Sequence, residues 1–435
     1  MMGRSNGTSS IGLILTGDLH IGRSSTRVSA NARRDDLRAA AAWSRIVDLA
    51  IQEQISVVCL SGDVADHDNK FWEAIGPLEQ GIARLATAGI RTVAVAGNHD
   101  HDVLARLADQ LPSEHFVLLG RGGEWERVTI DRDGRPALHI DGWSFPRRQV
   151  HDSPLASYNL ARDPVTPILG LVHGDLDAAT TPYAPLDLAR LQGLPPAAWL
   201  LGHIHAHRLL VPPSGPWALY PGSPQALDPS ETGAHGPWVV EVGGGTIGTP
   251  EQRPLSSVWY DDCTIDLTKA SDEAELEGVL LDGIRKEAVR IVAVAGPHLT
   301  NISLRLRLTG STPLSDRVRD LAERVVADLV LPIGTASVSV ETIVVETIPA
   351  IELDEYAGTH SAPGAVARLL LELEQPEVSE EVADLIRRAR HELEQVERHK
   401  DFTLLDRRVV TDELVREYLN MQARELLTQL VIQTP

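Results

Sequence analysis

Val57-Val58-Cys59-Leu60-Ser61-Gly62-Asp63-Val64-Ala65-Asp66 is the stretch that decides the fold. Its opening residues are apolar and rich in β-branching, as in a buried strand, and the run breaks at Ser61-Gly62 just where a carboxylate appears. Asp63 therefore stands at the mouth of a strand. Taken alone, Gly-Asp is also an ordinary turn. Its neighbours repeat the pattern. Upstream, Ile11–Thr16 reads as a strand ending in Gly17-Asp18-Leu19-His20; downstream, 91–96 reads as a strand ending in Gly97-Asn98-His99-Asp100. Apolar residues near helical spacing predict helices over 31–54 and 71–88 between them. Alternating strands and helices with polar clusters at the strand exits predict an α/β layer fold, in which ligands bind beyond the carboxyl ends of the strands.

Two further apolar strands stop at histidine: 168–172 before His173, and 199–201 before Gly202-His203-Ile204-His205. A hairpin is predicted at Asp131-Arg132-Asp133-Gly134, a tight turn at Tyr220-Pro221-Gly222-Ser223-Pro224, and a closing strand over 238–242. Beyond Pro254 the texture changes. Ile302, Leu304, Leu306 and Leu308 alternate with Ser303, Arg305 and Arg307, as in a half-buried strand, between helical stretches 272–289 and 315–329 and before a strand at 336–348. This reads as a small α+β domain. The last part reads as helical, with one helix over 379–400 and another begun by Thr411. Leu414, Val415, Tyr418, Leu419, Leu426, Leu427 and Leu430 form an apolar face on that final helix, which must dock on its own chain or on a partner.

With 435 residues, two or three domains are expected, and 43% hydrophobic with 23% charged residues suits a soluble globular protein. The net charge of -21 argues against a general nucleic-acid coat but leaves room for a local basic cleft. Cys59 and Cys263 are the only cysteines, so no disulfide framework is expected. No secretory signal or membrane-length apolar run is visible, which predicts a cytoplasmic protein with no membrane partner.

The strand exits collect Asp18, His20, Asp63, Asn98, His99, His173, His203 and His205. Residues two apart on extended chain face the same way, so Asp18 with His20, and His203 with His205, are expected to share an ion. Carboxylate, imidazole and amide donors without thiolates suit manganese, iron or zinc better than calcium. The donors are too many for one ion. Two ions about 3.5–4 Å apart with a bridging carboxylate are the arrangement of two-metal phosphoryl chemistry.

Gly-Asp-Leu-His, Gly-Asp-Val-Ala-Asp, Gly-Asn-His-Asp, His173 and Gly-His-Ile-His together resemble the signature of the calcineurin-like metallophosphoesterases. The resemblance implies a four-layer α/β/β/α sandwich. It implies one metal held by Asp18, His20, Asp63 and His205, and a second held by Asp63, Asn98, His173 and His203, with Asp63 bridging. It also implies in-line attack on phosphorus by a hydroxide between the ions, His99 off the metals as acid or transition-state stabiliser, and Asp66 orienting His99.

The chain as a whole is similar to the SbcD-type DNA-repair nucleases. The likeness rests on Asp18-Leu19-His20-Ile21-Gly22, on the helix leading into Ile46-Val47-Asp48-Leu49-Ala50, on Tyr220-Pro221-Gly222-Ser223, and on the domain order. That order is a metallophosphoesterase domain at 1–254, a small α+β capping domain at 255–350 and a helical partner-binding region at 351–435. The likeness implies a manganese-dependent exonuclease and endonuclease acting on DNA, a homodimer, and docking of an SbcC-like ABC-type coiled-coil ATPase on the C-terminal helices. Arg23, Arg27, Arg33, Arg34, Arg147 and Arg148 are candidate contacts to the DNA backbone. The alternatives are a stand-alone metallophosphoesterase acting on nucleotides or phosphoproteins, and a scaffold whose main work is partner binding. His67, His101, His207, Asp100 and Asp175 stand beside motif residues and are read as surface or supporting groups.

Overall fold

The computed structural model describes residues 10–29, 32–66, 71–178, 180–327, 329, 331–397 and 410–432. The chain divides into two units. The first comprises Met1–Cys263, Gly283–Leu306 and Val326–Ile343, and the second Thr264–Asp282, Arg307–Val325 and Val344–Pro435.

The first unit is built on two sheets of mixed direction. One carries β1 (Ile11–Thr16), β2 (Val57–Leu60), β3 (Arg91–Ala94) and β4 (Phe116–Leu118) in parallel array. Trp238–Gly243 pairs antiparallel with β1 on its other side and carries Thr246–Ile247 and Glu251–Gln252. In the other sheet, β5 (Glu126–Arg132) and β6 (Arg135–Trp143) form a hairpin, followed across the sheet by β7 (Ile168–His173), Ala198–Gly202, Trp217–Tyr220 and Arg208–Leu210. Asp133 and Gly134 at the tip of the hairpin both have positive φ, the conformation its tight connection demands.

Strand alternation sorts the core into layers. Ile14, Val58 and Leu60 face helices α1 (Ala39–Gln52), α2 (Phe71–Thr87) and α3 (Val103–Gln110), where they meet Ile46, Leu78, Ile82 and Leu104. Leu13, Leu15, Val57 and Cys59 face the second sheet and meet Leu138, Leu169, Leu171 and Leu200. The far side of that sheet buries Trp125, Trp143 and Trp199 beneath the short helix Leu188–Gly193 and the turn Pro154–Ser157. This is an α/β/β/α sandwich.

The helix expected over 31–54 begins only at Ala39, and Asn31 lies outside the described residues. Arg38 is extended and the stretch before it is held as a loop: Ser25 N–H donates to Leu37 O, and Ala39 N–H to Arg23 O. Strand Asn301–Thr309 buries Ile302, Leu304, Leu306 and Leu308 as its alternation predicts, but Ser303 is buried too.

In the second unit, helices Ala362–Leu373, Glu380–Glu397 and Asp412–Ile432 pack together. Ser361 and Thr411 cap the first and last through Gly364 N–H and Leu414 N–H. The apolar face expected on the last helix is divided. Val415 and Leu427 are buried against its neighbours, whereas Tyr418 and Leu426 are about half exposed. No helix among the described residues is long and apolar enough to cross a membrane.

Candidate metal centre

The carboxyl ends of β1, β2 and β3 in one sheet, and of β7 and Ala198–Gly202 in the other, converge. Thr16 pairs with Leu60 and Leu60 with Ala94, so Asp18, Asp63 and Asn98 leave the first sheet at one level; Gly202 pairs with His173 in the second. His203 N–H crosses between the sheets and donates to both oxygens of Asp18, at 3.0 and 3.1 Å.

Two groups of donors result. Asp18, His20 and His205 form one; Asp63, His173 and His203 form the other, with Asn98 Oδ1 3.1 Å from His173 Nε2. Asp63 Oδ2 lies 3.4 Å from His173 Nε2 and 3.9 Å from His20 Nε2, within reach of both. A third cluster joins His20, Asp66 and His99: Asp66 Oδ1 is 3.5 Å from Nδ1 of each ring.

The way these residues meet corrects the alternation argument. Asp18 and His20 have φ near 47°, Asp63 48° and His203 107°, so none lies on extended chain. Left-handed backbone at non-glycine residues is uncommon and costs about 1–3 kcal/mol each, which the surrounding packing must hold in place. His203 and His205 consequently enter different clusters rather than one. Gly62, at φ +91°, permits the approach: a Cβ there would sit 2.7 Å from Gly97 N and 2.8 Å from His173 Nδ1.

Outer hydrogen bonds set the tautomers. A carbonyl can only accept, so His173 Nδ1–H donates to Ser61 O at 2.9 Å; His205 Nδ1–H donates in the same way to the Glu231 carboxylate at 2.8 Å. Each ring then turns Nε2 into the cluster, the pattern of metal-ligating imidazoles. Burial works against charge on His173, yet Asp63 and Asp18 push it up to about 9. Burial, with His173 alongside, brings His203 down to about 3. Burial alone would raise Asp63, but His173, His20 and His99 hold it well below the usual carboxylate range. Buried carboxylate, amide and imidazole acceptors packed this closely call for positive charge among them. The thiolate-free donor set fits divalent transition-metal ions.

His99 is partly exposed at the rim, and its backbone N–H donates to Asp63 Oδ1 at 2.9 Å. The His20 and His99 rings, each with Nδ1 3.5 Å from Oδ1, hold Asp66 well below the ordinary range. Asp100 is fully buried, which decides between a surface and a supporting group in favour of the second. It accepts from Gly97 N–H, Val64 N–H and Ala65 N–H and so clasps two ligand loops. Glu231 escaped the sequence reading altogether. It lies 26 residues beyond His205 with no motif around it.

Among the arginines, Arg23 is half-buried, with its backbone N–H on His20 O, and Arg27 pairs with Glu341 at 3.0 Å. Arg33, Arg34, Arg147 and Arg148 are exposed. His101 and His207 enter none of the clusters, and His67 lies outside the described residues.

Residues 12–207 match the calcineurin-like phosphoesterase family, and residues 260–348 match the middle domain of metallophosphoesterase YhaO. An uncharacterized metallophosphoesterase, YhaO of Bacillus subtilis (strain 168), is 29% identical over 243 residues, covering 55% of this chain and 58% of that protein's length. Among solved structures, a dimetal phosphatase from Danio rerio aligns with TM-score 0.35 and 13% identity over 54% of this chain and 93% of its own. The calcineurin-like phosphoesterase YfkN from Bacillus subtilis aligns with TM-score 0.34 and 12% identity over 57% and 91%. Likeness at that level carries no weight for substrate.

Proposed function

We propose that this metallophosphoesterase of the calcineurin-like superfamily is a DNA nuclease, working with manganese as a homodimer and with an SbcC-like ABC-type coiled-coil ATPase docked on its C-terminal helices. One observation carries the choice of substrate. Arg147, Arg148, Gln149, His151 and Tyr183 line an open groove, and the Tyr183 ring stands 4.9 Å from the ring of His203. Guanidinium groups for phosphates and an aromatic face for bases, beside a phosphoester-cleaving centre, suit a polynucleotide strand.

Two divalent ions, when bound, supply Lewis acidity and a nucleophile at neutral pH. Asp18, His20, Asp63 and His205 would hold one, and Asp63, Asn98, His173 and His203 the other. His99, at the rim, would pass a proton to the departing oxygen, an effect worth about 10²- to 10⁴-fold. Asp66 would keep the His99 ring turned for that transfer, and Asp100 would keep the loops of Asp63 and Asn98 in register.

The test is incubation of the protein with manganese and end-labelled duplex DNA, alone and with any ABC-type ATPase encoded beside it. Cleavage that Asp63→Asn abolishes supports the nuclease. Hydrolysis of small phosphodiesters or nucleotides without DNA cleavage overturns it in favour of a stand-alone phosphoesterase, and tight ATPase binding with no hydrolysis overturns it in favour of a scaffold.

A further inference from the structure

The turn Tyr220-Pro221-Gly222-Ser223 contributes no metal ligand, yet it ends against one. Gly222 has φ +75°, and a Cβ there would stand 2.6 Å from His205 O and 2.9 Å from His207 N. Only glycine lets the chain pass so close. Ser223 N–H donates to His205 O at 3.0 Å, and Ser223 Oγ donates to Glu231 Oε2 at 2.8 Å. Leu227 N–H donates to the same oxygen at 2.8 Å, leaving Oε1 for His205 Nδ1–H, also at 2.8 Å. Glu231 is 7% exposed, so water adds little to this set.

We propose that Glu231 is a positioning residue for the metal centre: it holds His205 as the Nδ1–H tautomer and aims its Nε2 lone pair at the ion. The proposal rests on the two-ion reading of the cluster and not on the identity of the substrate. A carboxylate accepts only, so the ring proton must stay on Nδ1 while Glu231 faces it. In the neutral ring Nε2 is then the acceptor, 3.0 Å from His20 Nε2.

Glutamine in place of Glu231 has nearly the same shape and reverses this logic. Ser223 Oγ–H and Leu227 N–H would keep its oxygen, so its NH₂ would face Nδ1 and donate to it. That moves the ring proton to Nε2, where it blocks ligation. Alanine only leaves the ring loosely held. Metal affinity should therefore fall in the order wild type, Glu231→Ala, Glu231→Gln, whereas a packing role requires alanine to be the worse.

The experiment is calorimetric titration of the chelator-stripped full chain with manganese chloride, with the metal-free melting temperature measured alongside. Expected is a loss of about 10- to 100-fold in one of two binding events for Glu231→Gln, with its metal-free melting unchanged. Glu231→Ala should lose less, and Ser223→Ala, which keeps the charge and the Leu227 contact, least. Wild-type affinity in Glu231→Gln overturns the proposal. So does alanine binding more weakly than glutamine in step with a lowered melting temperature. Failure of the wild type to bind manganese overturns the two-ion centre itself, and with it this role.

Discussion

The Nε2 atoms of His20 and His205 face each other at 3.0 Å, although 185 residues separate them in the chain. A carboxylate stands behind each ring: Asp66 lies 3.5 Å from His20 Nδ1, and Glu231 2.8 Å from His205 Nδ1. Two imidazole nitrogens this close share a proton as a hydrogen bond, and a cation between them can take that proton's place and draw on both lone pairs. Chelator treatment should therefore lower the melting temperature. Restoring a divalent ion at about 100 times its dissociation constant should return about 2.7 kcal/mol per site. Differential scanning fluorimetry across a cycle of chelator and manganese measures this, and melting that ignores the cycle would sink the metal assignment.

Asp63 lies within 3.9 Å of rings in both donor groups, and its other oxygen takes the His99 N–H. Asp63→Asn should thus reduce the bound metal from two equivalents to one or none. Hydrolysis should fall by more than the roughly 10- to 100-fold typical of losing an outer hydrogen-bond partner. Elemental analysis of the desalted variant is the check. Two retained equivalents would show that Asp63 does not bridge.

His99 and Asp66 are separable by the same reasoning. His99 holds Asp63 through its backbone N–H, which alanine keeps, so His99→Ala should retain both metals while turnover falls by about 10²- to 10⁴-fold. Asp66 serves His20 as well as His99, so Asp66→Ala should reduce turnover and also weaken metal binding. Equal metal affinity in the two variants would contradict a shared role for Asp66.

The strand exits were legible because parallel strands deliver their next residues to one edge, and each exit here carries a carboxylate, amide or imidazole at or just beyond the strand end. The layering of β1, with Ile14 toward the helices and Leu13 and Leu15 toward the second sheet, follows from period-two alternation. Other features are settled by contacts distant in sequence. Left-handed backbone at Asp18, His20, Asp63 and His203 is held by tertiary packing; Asp and His visit that region more readily than most residues, but nothing local fixes them there. The helix over 31–54 lost its first turns because Arg23 O and Ser25 N–H engage that chain instead. Asp100 was in plain view within Gly-Asn-His-Asp, but its burial depends on N–H groups from two loops. Glu231 has no local signal at all, since its partners at 205, 223 and 227 share no periodicity with it.

The groove beside His203 gives the substrate assignment its sharpest consequence. Arg147 and Arg148 are exposed in a chain with a net charge of -21, so any polyanion held there depends on a few local cations working against an unfavourable overall field. If each arginine neutralises one phosphate, replacing both with alanine should reduce the slope of log affinity against log salt by about 1.8 in magnitude for duplex DNA and about 1.4 for single strands. Binding of duplex or single-stranded DNA should weaken, while kcat on a small phosphodiester, which reaches the metals without crossing the groove, stays unchanged. Tyr183→Ala should weaken single-stranded DNA in particular, because base stacking on an aromatic face is worth about 1–3 kcal/mol per base. Fluorescence anisotropy at several salt concentrations, paired with a chromogenic diester assay, separates binding from chemistry. An unchanged salt slope would remove the groove from the DNA path, and a parallel loss on the small diester would mean that the substitutions had disturbed the centre through the Tyr183–His203 contact.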